Sequence, residues 1–170
     1  MVVPSALPER SHILLTGASG LIGARVLTFL LSKDYTVIAT DIVPLPPHLP
    51  PLTSPSTFHV IDLLDHLSLE RVLLSSSLKI NGVIHLAAIP HPLNRDPREV
   101  FANNAVTNYN VLRTVLDLGV ERVVQASSVN AAGLTFTAPE RQRFDALPLN
   151  EESPMRPVRD YPQIGRETSC

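Results

Sequence analysis

A chain of 170 residues with a formal net charge of −2 is long enough for one domain with a buried core, and its near-neutral balance suggests no nucleic-acid partner. No apolar run reaches the ~18 residues of a membrane span, and the first ten residues lack the basic-then-apolar pattern of a signal peptide. Cys170 is the single cysteine, so no internal disulfide forms, and a reducing, cytoplasmic setting without membrane or nucleic acid is expected.

The apolar run Ile13-Leu14-Leu15 leads directly into Thr16-Gly17-Ala18-Ser19-Gly20-Leu21-Ile22-Gly23. Beyond it Leu21, Ile22, Val26, Leu27, Leu30 and Leu31 recur at a spacing that places large side chains on one helical face. The order is therefore strand, glycine turn, helix. In such a turn one glycine lets the chain reverse, one lets backbone N–H groups approach a pyrophosphate, and one lets helix and strand pack closely. The anion then sits at the helix N-terminus, where unpaired amides and the helix dipole favour negative charge. A second strand, Thr36-Val37-Ile38-Ala39-Thr40, ends in Asp41, within the roughly twenty residues at which an acid reaches an adenosine ribose. A carboxylate there accepts from both ribose hydroxyls and repels a 2′-phosphate, which selects NAD over NADP. The rival reading of Asp41 is a solvated acid at a strand end.

Six prolines crowd into Pro44 to Pro55, so this stretch is neither helix nor inner strand and is expected as a surface loop at the adenine end of the site. Thr57 to Ile61 reads as a third strand, closed by Asp62-Leu63, and Asp62 or Asp65 caps a helix carrying Leu69, Val72 and Leu73. The fourth strand, Gly82 to Ala88, runs into the small residues that let a backbone lie against a ribose and pyrophosphate. His85 at its end reads as a packed histidine, and no cluster of ligands stands at metal spacing, so no metal is expected. Asp96-Pro97-Arg98-Glu99 is a helix start with an N-cap acid, a proline at the first position and a glutamate placed for a capping box. That helix runs to Gly119, its expected C-cap. Glu121 to Ala126 forms a fifth strand that ends in Ser127-Ser128. The fold class is α/β, a doubly wound parallel sheet of about five strands with its ligand edge at the carboxyl ends of strands one, four and five.

The GxxGxxG spacing, the strand before it and Asp41 after it resemble the short-chain dehydrogenase/reductase superfamily, specifically its extended branch of NAD-dependent epimerases/dehydratases. The resemblance implies a cofactor site made of Gly17, Ser19, Gly20, Leu21, Ile22 and Gly23 around the diphosphate, with Asp41 and Ile42 at the ribose. It gives Asp62 and Leu63 to the adenine, although Asp62 also reads as a helix starter. It places Leu86, Ala87 and Ala88 along the dinucleotide. Asn104 and Asn110 fall on the family's paired asparagine positions, the first of which orders groups near the nicotinamide; a tolerated surface asparagine is the rival for either. Ser127 belongs with the cofactor contacts. Ser128, five residues before Gly133, takes the place of the catalytic serine and Tyr161 that of the catalytic base.

In the family a tyrosine phenolate takes a hydroxyl proton as hydride leaves the same carbon, and a lysine four residues on lowers a tyrosine pKa that is otherwise about 10. Here that place holds Gly165, and Arg166 beside it is rotated by about 100° on a helix. The resemblance covers Ser11 to Tyr161 and then stops, which sets an expectation of an NAD-binding domain over 11–161, an atypical tail over 162–170 and no substrate lobe. An uncovered apolar sheet face near strands one, four and five is expected to go with it.

Three functions are consistent with these residues. The first is an NAD-dependent oxidoreductase or epimerase acting on a sugar, uronate or nucleotide-sugar hydroxyl. The second is a dinucleotide-binding module without catalysis, and the third a truncated product without a stable fold. The family is commonly dimeric, but the residues commit this chain to no oligomer.

Overall fold

Strands that are apolar on both faces belong inside a parallel sheet covered by helices, and short βαβ crossovers are what join parallel strands. The computed structural model, which describes residues 11–49, 51–90, 95–128, 131–132, 142 and 148–153, has this architecture. The elements in chain order are β1 (His12–Thr16), α1 (Leu21–Ser32), β2 (Thr36–Asp41), β3 (Thr57–Val60), α2 (His66–Ser75), β4 (Gly82–His85), α3 (Pro97–Asp117) and β5 (Val123–Gln125). The sheet order is β3-β2-β1-β4-β5, with every neighbouring pair parallel. Strand order reverses between β1 and β4, the switch point at which ligands of open α/β sheets bind.

Period-two alternation sorts the strand residues between two cores. Leu14, Ile38 and Val83 join Leu69 and Leu73 of α2 and Val111 and Val115 of α3. Ile13, Leu15, Val37 and Ala39 join Leu27 and Leu30 of α1. The chain divides into two compact units. One holds the sheet and comprises the chain up to Ala88 with Val106–Ala126; the other comprises Ile89–Ala105 and the chain from Ser127.

Local signals set the helix ends. Asp65, and not Asp62, caps α2: its Oδ1 accepts from the Leu67 amide at 3.1 Å and its Oδ2 from the Ser68 hydroxyl at 2.6 Å. Asp96 caps α3 through the Arg98 amide at 2.9 Å, and the Arg98 guanidinium grips the same carboxylate, which holds it down at about 2. The expected capping box with Glu99 is replaced by this Arg98 pair, because a bidentate guanidinium satisfies both carboxylate oxygens. At the other end the Gly119 amide donates to Leu116 O and the Val120 amide to Val115 O, the paired bonds of a Schellman motif.

Three expectations are corrected. Leu21 and Ile22 do not share the buried face of α1; they are 79% and 63% exposed, and Ala24, Leu27 and Leu30 carry that face. The reason is their place in the first turn, directly after the glycine turn. The described residues of the proline-rich connection form no helix or strand, but it is not a plain surface loop, since Leu45, Leu49 and Leu52 pack against the α1-side core. Behind it the Ser56 hydroxyl accepts the buried Val37 amide at 3.0 Å. Apolar exposure in the sheet does not extend over β1 and β4, whose two faces are covered. It falls on the two edge strands of the described sheet, on Val60 of β3 and on Val123 and Val124 of β5.

Candidate functional site

The turn that leaves β1 is tight because two glycines permit it. Gly17 has a φ of +71°, and a Cβ there would stand 2.7 Å from the Ala87 nitrogen. A Cβ on Gly23 would collide with the Gly17 carbonyl oxygen. Between them Gly20 is the N-cap of α1 and offers no side chain to the helix end. Among the described residues the first-turn amides of Leu21, Ile22 and Gly23 have no partner, and no acidic residue occupies that turn. Three outward amides at a positive helix end are an anion cradle.

The acid closing β2 faces this cradle. Asp41 Oδ2 accepts from the Ser19 amide at 2.9 Å, while Oδ1 accepts from the Ile42 amide at 2.7 Å and the Val43 amide at 3.3 Å. The Ser19 hydroxyl donates to Val43 O at 3.1 Å and the Ala18 amide to Thr40 O at 3.1 Å, so the glycine turn and the end of β2 are laced together at three points. Ile61 extends the edge toward β3 by donating its amide to Asp41 O at 2.9 Å. Asp62 follows; its Oδ1 accepts from the Leu64 amide at 2.9 Å, and Leu63 is buried in the core.

On the β4 side, parallel register sets Thr16 against His85. Thr16 Oγ1 lies 2.6 Å from His85 Nδ1 and accepts from the Ala87 amide at 3.3 Å. The threonine hydroxyl and the imidazole thus share one short hydrogen bond, whose donor follows from the tautomer of the ring. Burial pushes the His85 pKa down to about 4, so the ring is neutral near pH 7. The backbone of Leu86 and Ala87 is thus held against Gly17. This use of Thr16 and His85 was not legible beforehand, and the parallel pairing of a strand-end threonine with a histidine is the signal that reveals it.

In the second unit Asn104 is buried. Its Oδ1 accepts from the Ile89 amide at 2.8 Å and its Nδ2 donates to Ile89 O at 3.1 Å. The asparagine therefore pairs with the backbone just past Ala88, and the surface alternative for it is removed. Ser127 and Ser128 follow β5 and are exposed, and Ser128 O accepts from the Ala131 amide at 3.0 Å. Gly133, Tyr161 and Gly165 lie outside the described residues. Among the described residues no cluster of histidine, cysteine and acidic side chains could hold a metal ion, and no helix is long and apolar enough to cross a membrane.

These features agree with three known proteins. UDP-glucose 4-epimerase of Caenorhabditis elegans is 32% identical over 138 residues, a match that covers 72% of this chain and 39% of the worm protein. The Bordetella bronchiseptica enzyme WbmG, solved in complex with NAD, superposes with a TM-score of 0.72 at 22% identity over 99% of this chain and 49% of its own, a likeness of fold. A short-chain dehydrogenase/reductase superfamily protein from Agrobacterium tumefaciens, solved with bound NAD, has a TM-score of 0.67 at 26% identity, covering 92% of this chain and 42% of its own. The chain thus spans less than half the length of each of these relatives. The sequence profile of the NAD-dependent epimerase/dehydratase family matches residues 13–162, and with the glycine turn, the acid at the end of β2 and the five-stranded parallel sheet in place, the chain belongs to that family.

Proposed function

We propose that this chain binds NAD across the Gly17–Gly23 turn and serves oxidation at a hydroxyl of a sugar, uronate or nucleotide sugar. The observation that carries the reading is the Ser19–Asp41 bond beside the partnerless amides of Leu21, Ile22 and Gly23. A carboxylate joined to the glycine turn and a set of amides at the helix start are the two groups that a ribose and its diphosphate need. In this reading Gly17, Ser19, Gly20, Leu21, Ile22 and Gly23 receive the diphosphate, Asp41 and Ile42 the ribose, and Asp62 with Leu63 the adenine. Leu86, Ala87 and Ala88 flank the dinucleotide; the family resemblance gives Asn104 a role near the nicotinamide and makes Ser127 a further cofactor contact. The residues 11–161 then make up the NAD-binding domain, with 162–170 an atypical tail. The UDP-sugar epimerase among the relatives supports a nucleotide sugar as substrate.

NAD, when bound, supplies a hydride acceptor. Ser128 holds the substrate oxygen and Tyr161 receives its proton. A tyrosine with an ordinary pKa of about 10 is mostly protonated at neutral pH, and Gly165 supplies no ammonium to change that. Gly165 therefore favours a second reading, a dinucleotide-binding module with little or no turnover.

A fluorescence titration with NADH, followed by assays of epimerisation on UDP-sugars and of hydride transfer from sugars and uronates, separates the two. Saturable binding without turnover supports the module, and binding with turnover supports the enzyme. A cooperatively folded chain that leaves NADH fluorescence unchanged overturns both.

A further inference from the structure

Asn110 lies near the middle of α3, where asparagine is a poor helix former and needs a compensating bond. It makes two. Its Nδ2 donates to Leu63 O at 2.9 Å and to Leu64 O at 3.2 Å, reaching back 47 and 46 residues in sequence. The turn it grips is otherwise held from within: the Leu64 amide donates to Asp62 Oδ1 at 2.9 Å and the Asp65 amide to Asp62 O at 3.1 Å. Leu63 is anchored in the same core as Val111 and Val115, the α3 residues next to Asn110 and one turn beyond it. The opposite end of this segment is tied to the glycine-turn acid, because the Ile61 amide donates to Asp41 O at 2.9 Å. Asp62 is left exposed, and among the described residues its Oδ2 has no partner.

We propose that Asn110 is a positioning residue that fixes the backbone of Leu63 and Leu64 so that the Asp62 carboxylate is presented to the adenosine half of the dinucleotide. It acts through the turn and touches no ligand itself. The inference rests on the NAD reading above and deepens it. With Nδ2 removed, two carbonyls lose their donor while the Leu63 side chain and the Asp65 cap keep the turn in place. The turn then remains folded but loses the one orientation in which Asp62 Oδ2 faces outward. A loss of this kind is confined to ligands that carry an adenosine.

The test is displacement of NADH by ADP and by inorganic pyrophosphate, on the parent chain and on Asn110→Leu, which keeps the branching of the side chain and removes the donor. ADP and NADH affinities are expected to fall about tenfold, with pyrophosphate changed less than about twofold. Amide exchange at Leu64 is expected to quicken while that at Ile38 in β2 stays as in the parent. If Asn110→Leu does not fold, Asn110→Ser, which keeps one short donor, is expected to show a smaller loss in the same direction. ADP affinity equal to the parent's in the folded variant overturns the inference. So does an equal fall for ADP and pyrophosphate, the pattern of a merely structural residue. A parent chain that does not bind NADH overturns the NAD reading itself, whereas a binding parent with an unchanged variant overturns only the role of Asn110.

Discussion

Ser19 and Asp41 are joined by a 2.9 Å hydrogen bond from the backbone amide of one to the carboxylate of the other, across 22 residues of sequence. The bond exists because β1 and β2 are parallel neighbours in register, Thr16 beside Thr40, so the residues that follow each strand emerge side by side. Under the NAD reading proposed above, a ribose at Asp41 and a diphosphate at the turn would be adjacent by construction.

Asp41→Arg tests this adjacency. An arginine removes the acceptor for the ribose hydroxyls and brings a charge that accommodates a 2′-phosphate. The ratio of NADPH to NADH affinity is expected to rise at least about tenfold, measured by fluorescence titration of both. An unchanged ratio would remove Asp41 from the ribose contact.

Replacements of two glycines by alanine should differ sharply. A methyl on Gly23 meets the Gly17 carbonyl oxygen, a backbone atom that cannot swing aside, whereas the nearest neighbour of a methyl on Gly20 is that oxygen at 3.3 Å. Gly23→Ala should cost about 3 kcal/mol or more, and Gly20→Ala about 1 kcal/mol. Urea denaturation of the two variants gives the ranking; equal losses would mean the turn relaxes freely.

Thr40 is fully buried at the end of β2, and its hydroxyl has no hydrogen-bond partner. Valine has the same shape without the polar atom, so Thr40→Val should stabilise the chain by about 1 kcal/mol. Thermal melting reads this directly, and a lower melting temperature would show that the hydroxyl is satisfied in solution.

His85 makes stability depend on pH. Its pKa falls from 6.5 to about 4 on folding because burial disfavours the imidazolium. Between these values the unfolded chain binds the extra proton, so the contribution is fully present above pH 6.5 and is lost as pH falls toward 4. The full span corresponds to about 3 kcal/mol. Denaturant unfolding at pH 7 and pH 4.5 should show most of this loss, and His85→Gln should flatten it. A variant with the parent's pH dependence would assign the loss to other groups.

Much of the chain was legible because its signals are local. The apolar run at Ile13, the glycines at 17, 20 and 23, and Asp41 ending the next strand fix a βαβ unit within thirty residues or so, whatever surrounds it. Asp96-Pro97 and Gly119 mark the ends of α3 for the same reason, since caps answer to the nearest backbone groups. Pattern alone could not tell Asp62 from Asp65 as the cap of α2, because both precede the same helix; hydrogen-bond geometry chose Asp65. It also overcounted the buried face of α1, because Leu21 and Ile22 keep the helical period but sit in the turn that leaves the core.

By itself, then, the order of residues determined the family, the parallel α/β sheet and the anion cradle, all of which follow from short-range spacing and backbone sterics. Only the tertiary structure decided which polar groups meet: Thr16 with His85, Asn104 with Ile89, Asn110 with Leu63 and Leu64. Most of those partners lie dozens of residues apart, and strand register and helix docking bring them within hydrogen-bond reach, where local pattern carries no information.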